Sequence, residues 1–253
     1  MLEEKVAIFV HIPKTAGSTL RRILKKQYDP SEICFANKEE MKEKLTNFSK
    51  EELEKLKCIN GHICFGIHEY LSNRPYVYYT MLRDPVEQVI SEYYYILRKP
   101  NNMAHNKVKN MSFEEFIYSD EFKGHTSNRQ TCFISGEPKK DLSKAKENLM
   151  KHFSIVGITE MFEESVFLIN QELGWKNFSL KKNINVTKNR PTRDDIPEHV
   201  IETLKKNNEL DIELYHFGKE LLEKKIQNLS SKSRKEMNHF VKQQRIKNRK
   251  FKN

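Results

Sequence analysis

The chain has 253 residues, of which 37% are hydrophobic and 32% charged, and its formal net charge is +10. This length is enough for one sizeable α/β domain with a filled core. No apolar run approaches the roughly 18 residues that a membrane span needs, so we expect a soluble protein. The first predicted strand begins within a few residues of Met1, which predicts no signal peptide and a cytoplasmic location.

The positive charge is concentrated at one end of the chain. Residues 230–253 hold nine Lys or Arg and one acid, Glu236, so this tail carries +8 and the remainder about +2. A nearly neutral body gives little support to nucleic-acid binding by bulk charge. We predict one domain over residues 1–228 and a basic tail over residues 229–253, as a solvated helix or a loose arm.

A strand, a tight turn and a helix come first along the chain. Val6–Val10 is wholly apolar and predicts a buried strand, and residues 17–27 predict the helix that follows it. The turn between them, HIPKTAGSTL over residues 11–20, contains Lys14, Gly17 and several hydroxyl side chains. Such a turn directs backbone N–H groups and a positive helix dipole at one point, which suits a phosphate-like anion. It is not a Walker loop, because Lys14 precedes Gly17 by three residues.

The next predicted elements are a charged helix and two strands. Asn37 is a suitable N-cap for a helix that runs to about residue 57, with a break near residues 47–49. Residues 58–60 predict a short strand that ends at Gly61 and His62. Tyr76–Leu82 is rich in aromatic and β-branched residues and predicts a longer strand.

Arg83 follows that strand at the mouth of another predicted helix. Asp84 suits the N-cap, Pro85 the first helical position and Glu87 the third, so we assign Asp84 to capping rather than to metal binding. Ser91 lies about two turns into this helix, on the same face as Asp84. A guanidinium and a hydroxyl together suit a phosphate dianion. Two anion sites at successive strand–helix junctions indicate a nucleotide with anionic groups at both ends.

The remaining pattern alternates helices and strands. Residues 99–110 predict a polar loop on the substrate side. The alternation predicts an α/β, P-loop-like three-layer fold with a central, mostly parallel sheet flanked by helices on both faces. Helices are predicted near residues 112–119, 126–134, 142–151, 161–173, 194–206 and 209–228, a strand at 154–158 and an extended piece at 183–187.

Two histidines are candidate general bases. His62 follows a short strand at the edge where α/β folds place their sites, so we favour it over His68, and Glu69 is a weaker candidate. The string Cys58, His62, Cys64, His68 also raises the alternative of a zinc site. It lacks the C-x2-4-C spacing of structural zinc sites, so we favour buried thiols beside a functional histidine.

The turn HIPKTAGST closely resembles the 5′-phosphosulfate loop of the carbohydrate sulfotransferases, the group that contains the heparan sulfate 2-O- and 6-O-sulfotransferases. An Arg-Asp-Pro with Ser91 eight positions after Arg83 resembles the pattern by which this superfamily binds the 3′-phosphate of its nucleotide. Gly61, His62 and His68 resemble the segment that holds its catalytic histidine. The resemblance implies the sulfotransferase fold, 3′-phosphoadenosine-5′-phosphosulfate as donor, and transfer of a sulfuryl group to an acceptor hydroxyl on a carbohydrate without a metal.

The resemblance also implies roles for single residues. Lys14 would neutralise charge on the leaving phosphate, and His62 or His68 would take the proton of the acceptor hydroxyl. Less specific likenesses lie in NRQT (residues 128–131), GITE (157–160) and KNRP (188–191). The implied donor-binding residues are Lys14, Thr15, Ala16, Gly17, Ser18, Thr19, Arg83, Ser91, Thr159, Lys188 and Arg190, and the implied acceptor-binding residues are Arg129 and Gln130.

Two alternative functions stay open at this point. A P-loop kinase would bind a nucleoside triphosphate with magnesium and would need an acidic metal ligand, for which Asp84 is the local candidate. A non-catalytic protein could keep the nucleotide pocket and use the basic tail to hold a polyanion. The acceptor is open among a polysaccharide, a glycolipid and a small alcohol, and the sequence carries no signal for the oligomeric state.

Overall fold

Five strands form one sheet in the computed structural model, which describes residues 5–136, 140–175 and 193–250. Their order is β2-β3-β1-β4-β5, and each neighbouring pair is parallel. The strands are β1 (Val6–Val10), β2 (Ile33–Asn37), β3 (Cys58–His62), β4 (Tyr76–Leu82) and β5 (Phe153–Ile158).

Helices flank this sheet, and the predicted α/β class with a parallel sheet is confirmed. Their bounds are α1 (Gly17–Gln27), α2 (Lys38–Asn47), α3 (Lys50–Lys55), α4 (Pro85–Leu97), α5 (His105–Val108), α6 (Phe113–Tyr118), α7 (Lys123–Thr126), α8 (Arg129–Ser135), α9 (Leu142–His152), α10 (Phe162–Leu173), α11 (Glu198–Asn207), α12 (Glu209–Gln227) and α13 (Ser231–Lys250).

Two parts of the fold differ from the sequence-based prediction. The edge strand β2 was not predicted, because it is short and mostly half-buried and so lacks a strong apolar pattern. The predicted loop over residues 99–110 contains the single-turn helix α5. The extended piece predicted at residues 183–187 lies outside the described residues.

One apolar core surrounds the central strands, and a second lies between α4 and its neighbouring helices. All five residues of β1 are buried, and the ring of Phe9 stacks on that of Tyr79 with centroids 4.9 Å apart. A second apolar cluster joins Val89 and Ile90 of α4 to Phe116 of α6 and other buried side chains. Because apolar contacts hold α4 along its length, the residues at its start have a defined position.

The basic tail forms α13, which packs antiparallel to α10. Gln171 near the end of α10 bonds Ser233 over 2.9 Å, and Glu164 near its start lies 3.3 Å from Arg245. Met237 is buried on the side that faces the domain. The tail is therefore a helix with one buried face, and the domain boundary at residue 228 stays a prediction. Within the described ranges, no helix is long and apolar enough to span a bilayer.

Candidate active site

The carboxyl ends of the strands border a cavity of about 670 Å³. Strand β1 lies between β3 and β4. The chain runs from β1 to β2 on one side of it, and then from β3 past β1 to β4 on the other, so the strand order reverses at β1. Open α/β sheets bind ligands in the crevice at such a switch point. The predicted site residues that line the cavity are Lys14, Ala16, Gly17, Ser18, Thr19, His62, Arg83, Ser91, Arg129 and Thr159.

The turn between β1 and α1 has left-handed backbone at two positions. The φ angle is 68° at Lys14 and 63° at Ala16. Thr15 between them is buried, and its hydroxyl donates to the Ile12 carbonyl over 2.9 Å. Ala16 is the N-cap of α1 and provides no side-chain cap, so no side chain competes for the first N–H groups of the helix. Such a backbone can bind an anion, to which Thr15 offers its N–H rather than its hydroxyl.

Lys14 places a positive charge at the wall of the cavity. Its Nζ lies 3.8 Å from the centre of the Tyr95 ring, a cation–π contact. Burial lowers the pKa of Lys14 to about 8, with the carboxylate of Glu92 opposing and the charge of Arg83 reinforcing that shift. An amine of this pKa is mostly protonated at pH 7, so Lys14 is a cation under ordinary conditions.

Arg83 connects the two predicted anion sites. Its guanidinium donates to the Lys14 carbonyl over 3.1 Å and lies 3.3 Å from a carboxylate oxygen of Glu87. The side-chain amide of Gln130 accepts from the backbone N–H of Arg83 over 3.0 Å and donates to its carbonyl over 2.8 Å. Gln130 is buried and is not among the residues that line the cavity. Gln130 thus supports the backbone of Arg83, and its contact with an acceptor stays a prediction.

The helix after Arg83 begins as predicted. The Asp84 side chain accepts from the backbone N–H of Glu87 over 3.0 Å, which confirms its capping role. Ser91, two turns further, lines the cavity. Thr159 reaches the same cavity from the end of β5, where its hydroxyl donates to the Leu82 carbonyl over 2.9 Å. The cavity therefore collects side chains from the ends of β1, β3, β4 and β5.

His62 reaches the cavity from the end of β3. Its Nδ1 lies 2.8 Å from the backbone carbonyl of His11. A carbonyl only accepts, so Nδ1 carries the proton and the neutral ring keeps its lone pair on Nε2. Partial burial lowers the pKa of His62, and the hydrogen bond to His11 offsets part of that shift. The neutral ring, which can accept a proton, is favoured at neutral pH.

His68 has different surroundings. Its Nδ1 lies 2.8 Å from the Tyr78 hydroxyl, and its ring centroid lies 4.3 Å from that of Tyr76. It does not line the cavity, and Glu69 lines a separate, smaller one. Of the two histidines that the sequence left open, the structure brings His62 to the anion-binding turn.

The cavity lining also includes residues that were not predicted as site residues, among them His11, Glu92, Tyr95 and His125. A carboxylate oxygen of Glu92 accepts from Arg129 and from His125 Nδ1, each over 3.0 Å. Burial alone would raise the pKa of Glu92, but the bond from His125 and the charge of Arg129 outweigh it and hold the pKa at about 2. Tyr95 was detectable, because it lies four residues after Ser91 on the same helix face. His125 had no such signal, since only tertiary packing places α7 against α4.

The residues of the zinc alternative lie apart from one another, and the loop over residues 188–191 lies outside the described part of the chain. Cys58 is buried in β3, His62 lines the cavity and His68 contacts Tyr76, so these side chains do not converge. Across residues 5–136, 140–175 and 193–250, no three His, Cys, Asp or Glu side chains form a group that could hold a metal. Lys188 and Arg190 fall outside the described residues and stay predictions.

Comparison with known proteins finds sequence relatives that match most of the chain. A profile of the sulfotransferase family matches residues 1–218. The chain is 22% identical to heparan-sulfate 6-O-sulfotransferase 3 of Mus musculus, over 87% of this chain and 58% of that protein. It is 25% identical to heparan-sulfate 6-O-sulfotransferase 3-B of Danio rerio, over 92% and 67% respectively. It is 24% identical to heparan sulfate 2-O-sulfotransferase 1 of Xenopus laevis, over 68% and 55%. The chain thus spans about half to two thirds of these curated relatives, and the match does not favour the kinase alternative.

Proposed function

The chain belongs to the sulfotransferase family, and on that basis we propose that it transfers a sulfuryl group from 3′-phosphoadenosine-5′-phosphosulfate to a hydroxyl of a carbohydrate acceptor. One observation carries the proposal: Lys14 and Arg83, which follow β1 and β4, line the same cavity and are joined by a hydrogen bond. Two cationic sites that open on one cavity can hold a nucleotide with anionic groups at both ends.

The residues of the cavity fit this donor. Lys14 and the backbone N–H groups at the start of α1 would bind its 5′ end, where the left-handed turn favours an anion. Arg83, with Ser91 and Thr159 beside it, would bind the 3′-phosphate. When bound, the donor supplies an activated sulfuryl group, whose departure leaves negative charge on the 5′-phosphate. The Lys14 ammonium and the turn amides neutralise charge at that place, a task that magnesium performs in kinases.

His62 is the general base of the proposed reaction. The His11 carbonyl holds the proton of Nδ1, which leaves Nε2 to accept the proton of an acceptor hydroxyl. Because burial lowers the pKa of His62, this base is unprotonated at neutral pH. Arg129, which Glu92 holds at the cavity wall, would bind the acceptor.

A carbohydrate is the acceptor that the relatives support. The relatives described above are named for sulfation of heparan sulfate at the 6-O or 2-O position. The chain matches them across 68–92% of its own length. The family profile matches residues 1–218, which include the turn, His62 and Arg83. The same class of acceptor, a saccharide hydroxyl, is therefore proposed for this chain.

Titration calorimetry on the purified chain tests the donor. We expect the product nucleotide, adenosine 3′,5′-bisphosphate (3′,5′-phosphoadenosine), to bind without magnesium. We expect ATP to bind more weakly whether or not magnesium is present. Tighter binding of magnesium ATP would overturn the proposal. Turnover of the sulfuryl donor with a panel of oligosaccharides then separates an enzyme from a protein that only binds the nucleotide, because only an enzyme releases 3′,5′-phosphoadenosine in an acceptor-dependent way.

A further inference from the structure

The backbone of His11 connects the end of β1 to the end of β3. Its N–H donates to the Gly61 carbonyl over 2.9 Å, and its carbonyl lies 2.8 Å from His62 Nδ1. The backbone N–H of residue 11 thus contacts Gly61, and its backbone carbonyl contacts the side chain of His62. The position of the His62 ring relative to β1 follows from these two bonds.

The side chain of His11 lies between His62 and the first residue of α1. The two imidazole rings have centroids 4.3 Å apart and planes inclined by 32°. On the other side, a Cβ at Gly17 would stand 1.8 Å from Nε2 of His11 and 1.9 Å from its Cδ2. Any side chain at position 17 would collide with the ring. Gly17 is therefore required to make room for His11, a packing reason in addition to close approach by a ligand.

The His11 ring is neutral across the working range of the protein. Burial lowers the pKa of His11 to about 3, and the positive charges of His62, Arg21 and Lys14 add to that shift. A neutral ring can stay in contact with His62 when His62 gains a proton, whereas two cationic rings in contact would repel each other. His62 can thus gain a proton while the two rings stay in contact.

From this geometry we infer that His11 is a positioning residue for His62, holding the ring of the base between the turn that begins α1 and the end of β3. The inference rests on the proposed function, in which His62 is the base. It adds that the His11 ring lies against Gly17 on one side and contacts the His62 ring on the other, so that a displacement at the anion-binding turn reaches the base. A change at Gly17 then acts on His62 through the His11 ring.

Three variants separate positioning from simple packing. His11→Ala removes the ring, Gly17→Ala displaces it, and His11→Phe keeps a flat ring of similar size as the conservative rescue. His11→Leu, which keeps volume without a flat ring, takes the place of His11→Ala should that variant fail to fold. The backbone carbonyl of residue 11 is present in every variant, so the His11 variants test the ring alone. Gly17→Ala also adds a methyl group to the anion-binding turn, so its effect is read from the His62 tautomer and pKa rather than from turnover alone.

Nitrogen-15 NMR of the histidine rings gives a measurement that does not depend on turnover. In the wild type we expect His62 to carry its proton on Nδ1 and to titrate below 6.5. In His11→Ala and Gly17→Ala the pKa of His62 should rise toward 6.5 and both tautomers should be present, whereas His11→Phe should match the wild type. The charged groups that act on His62 from neighbouring elements are Arg21 of α1, Glu92 of α4 and Arg129 of α8, and none is altered.

Turnover gives the second measurement. We expect kcat to fall by about 10- to 100-fold in His11→Ala and Gly17→Ala, as small misplacements of a catalytic group do, with the acid limb of the pH profile shifted as the NMR predicts. His11→Phe should restore most of kcat. If His11→Ala left the His62 tautomer, pKa and kcat unchanged, the inference would be overturned. If His62 itself proved unnecessary for turnover, the proposed base would fall, and the NMR data would still report whether His11 orients it.

Discussion

The guanidinium of Arg83 donates a hydrogen bond to the backbone carbonyl of Lys14 over 3.1 Å, across the ends of β4 and β1. The same guanidinium lies 3.3 Å from Glu87 and 3.9 Å from Glu160. Its orientation is thus set before any ligand arrives, which lowers the side-chain entropy that Arg83 loses when a phosphate binds there. The bond also makes the two proposed anion sites a single structural unit.

Arg83→Ala should weaken the binding of 3′,5′-phosphoadenosine by about 10- to 100-fold, because a hydrogen bond to a charged group contributes about 1.5–3 kcal/mol. Calorimetry without magnesium measures the change. Arg98→Ala is the matched control, since Arg98 is exposed and acts on Lys14 only through its charge. It should change the affinity by less than about threefold. Equal losses in the two variants would contradict a direct contact between Arg83 and the nucleotide.

His62→Gln should lower kcat by about 10²- to 10⁴-fold, the usual contribution of a general base, with little change in nucleotide affinity. His68→Gln is the matched control, because His68 contacts Tyr76 and Tyr78 away from the cavity. Steady-state assays with an active saccharide acceptor compare them. Full turnover in His62→Gln, or equal losses in both variants, would remove His62 from the role of base.

Turnover should rise with pH on the acid side. Burial lowers the pKa of His62, so the ring loses its proton below pH 6.5 and gains the ability to accept one as the pH increases. A profile of kcat/KM between about pH 4.5 and about pH 7.5, which covers the ordinary range of histidine pKa values, locates the midpoint of the acid limb. A midpoint well above 6.5 would show that a different group controls the acid limb.

His11 should make the fold less stable in acid. The pKa of His11 is about 3 in the folded chain, because the ring is buried, and the ordinary 6.5 in an unfolded one. Above pH 6.5 neither state binds the proton, and stability is unaffected. As the pH falls from 6.5 to 3, only the unfolded chain binds it, so stability falls by up to about 1.4 kcal/mol per pH unit. Urea unfolding should show a shallower loss for His11→Phe, and parallel curves would contradict a neutral His11 in the fold.

Asp211→Ala should lower the free energy of unfolding by about 2–4 kcal/mol. The buried carboxylate accepts the backbone N–H groups of Gln130 over 2.8 Å and of Thr131 over 2.7 Å at the start of α8. Its removal leaves two buried donors without a partner. Urea unfolding measures the loss, and Glu220→Ala, an exposed acid on the same helix α12, should change stability by less than about 0.5 kcal/mol. Similar values for both variants would contradict the anchoring role.

Local patterns were sufficient for the elements that carry the site. The apolar run Val6–Val10 and the aromatic run Tyr76–Leu82 became β1 and β4 at their predicted bounds, because buried central strands show in composition alone. Asp84 became an N-cap because the bond it makes is to a residue three positions away. The half-buried edge strand β2 was missed, since its partner β3 is distant in sequence and its own pattern is weak.

The sequence by itself determined which residues end the central strands, and therefore that Lys14, His62 and Arg83 stand at the carboxyl edge of a parallel sheet. Tertiary structure alone decided that His62 and not His68 meets the turn, that Gln130 supports Arg83, and that His11 lies between Gly17 and His62. The reason is physical: backbone torsions and caps depend on residues a few positions apart, whereas these contacts depend on the order in which distant strands and helices pack.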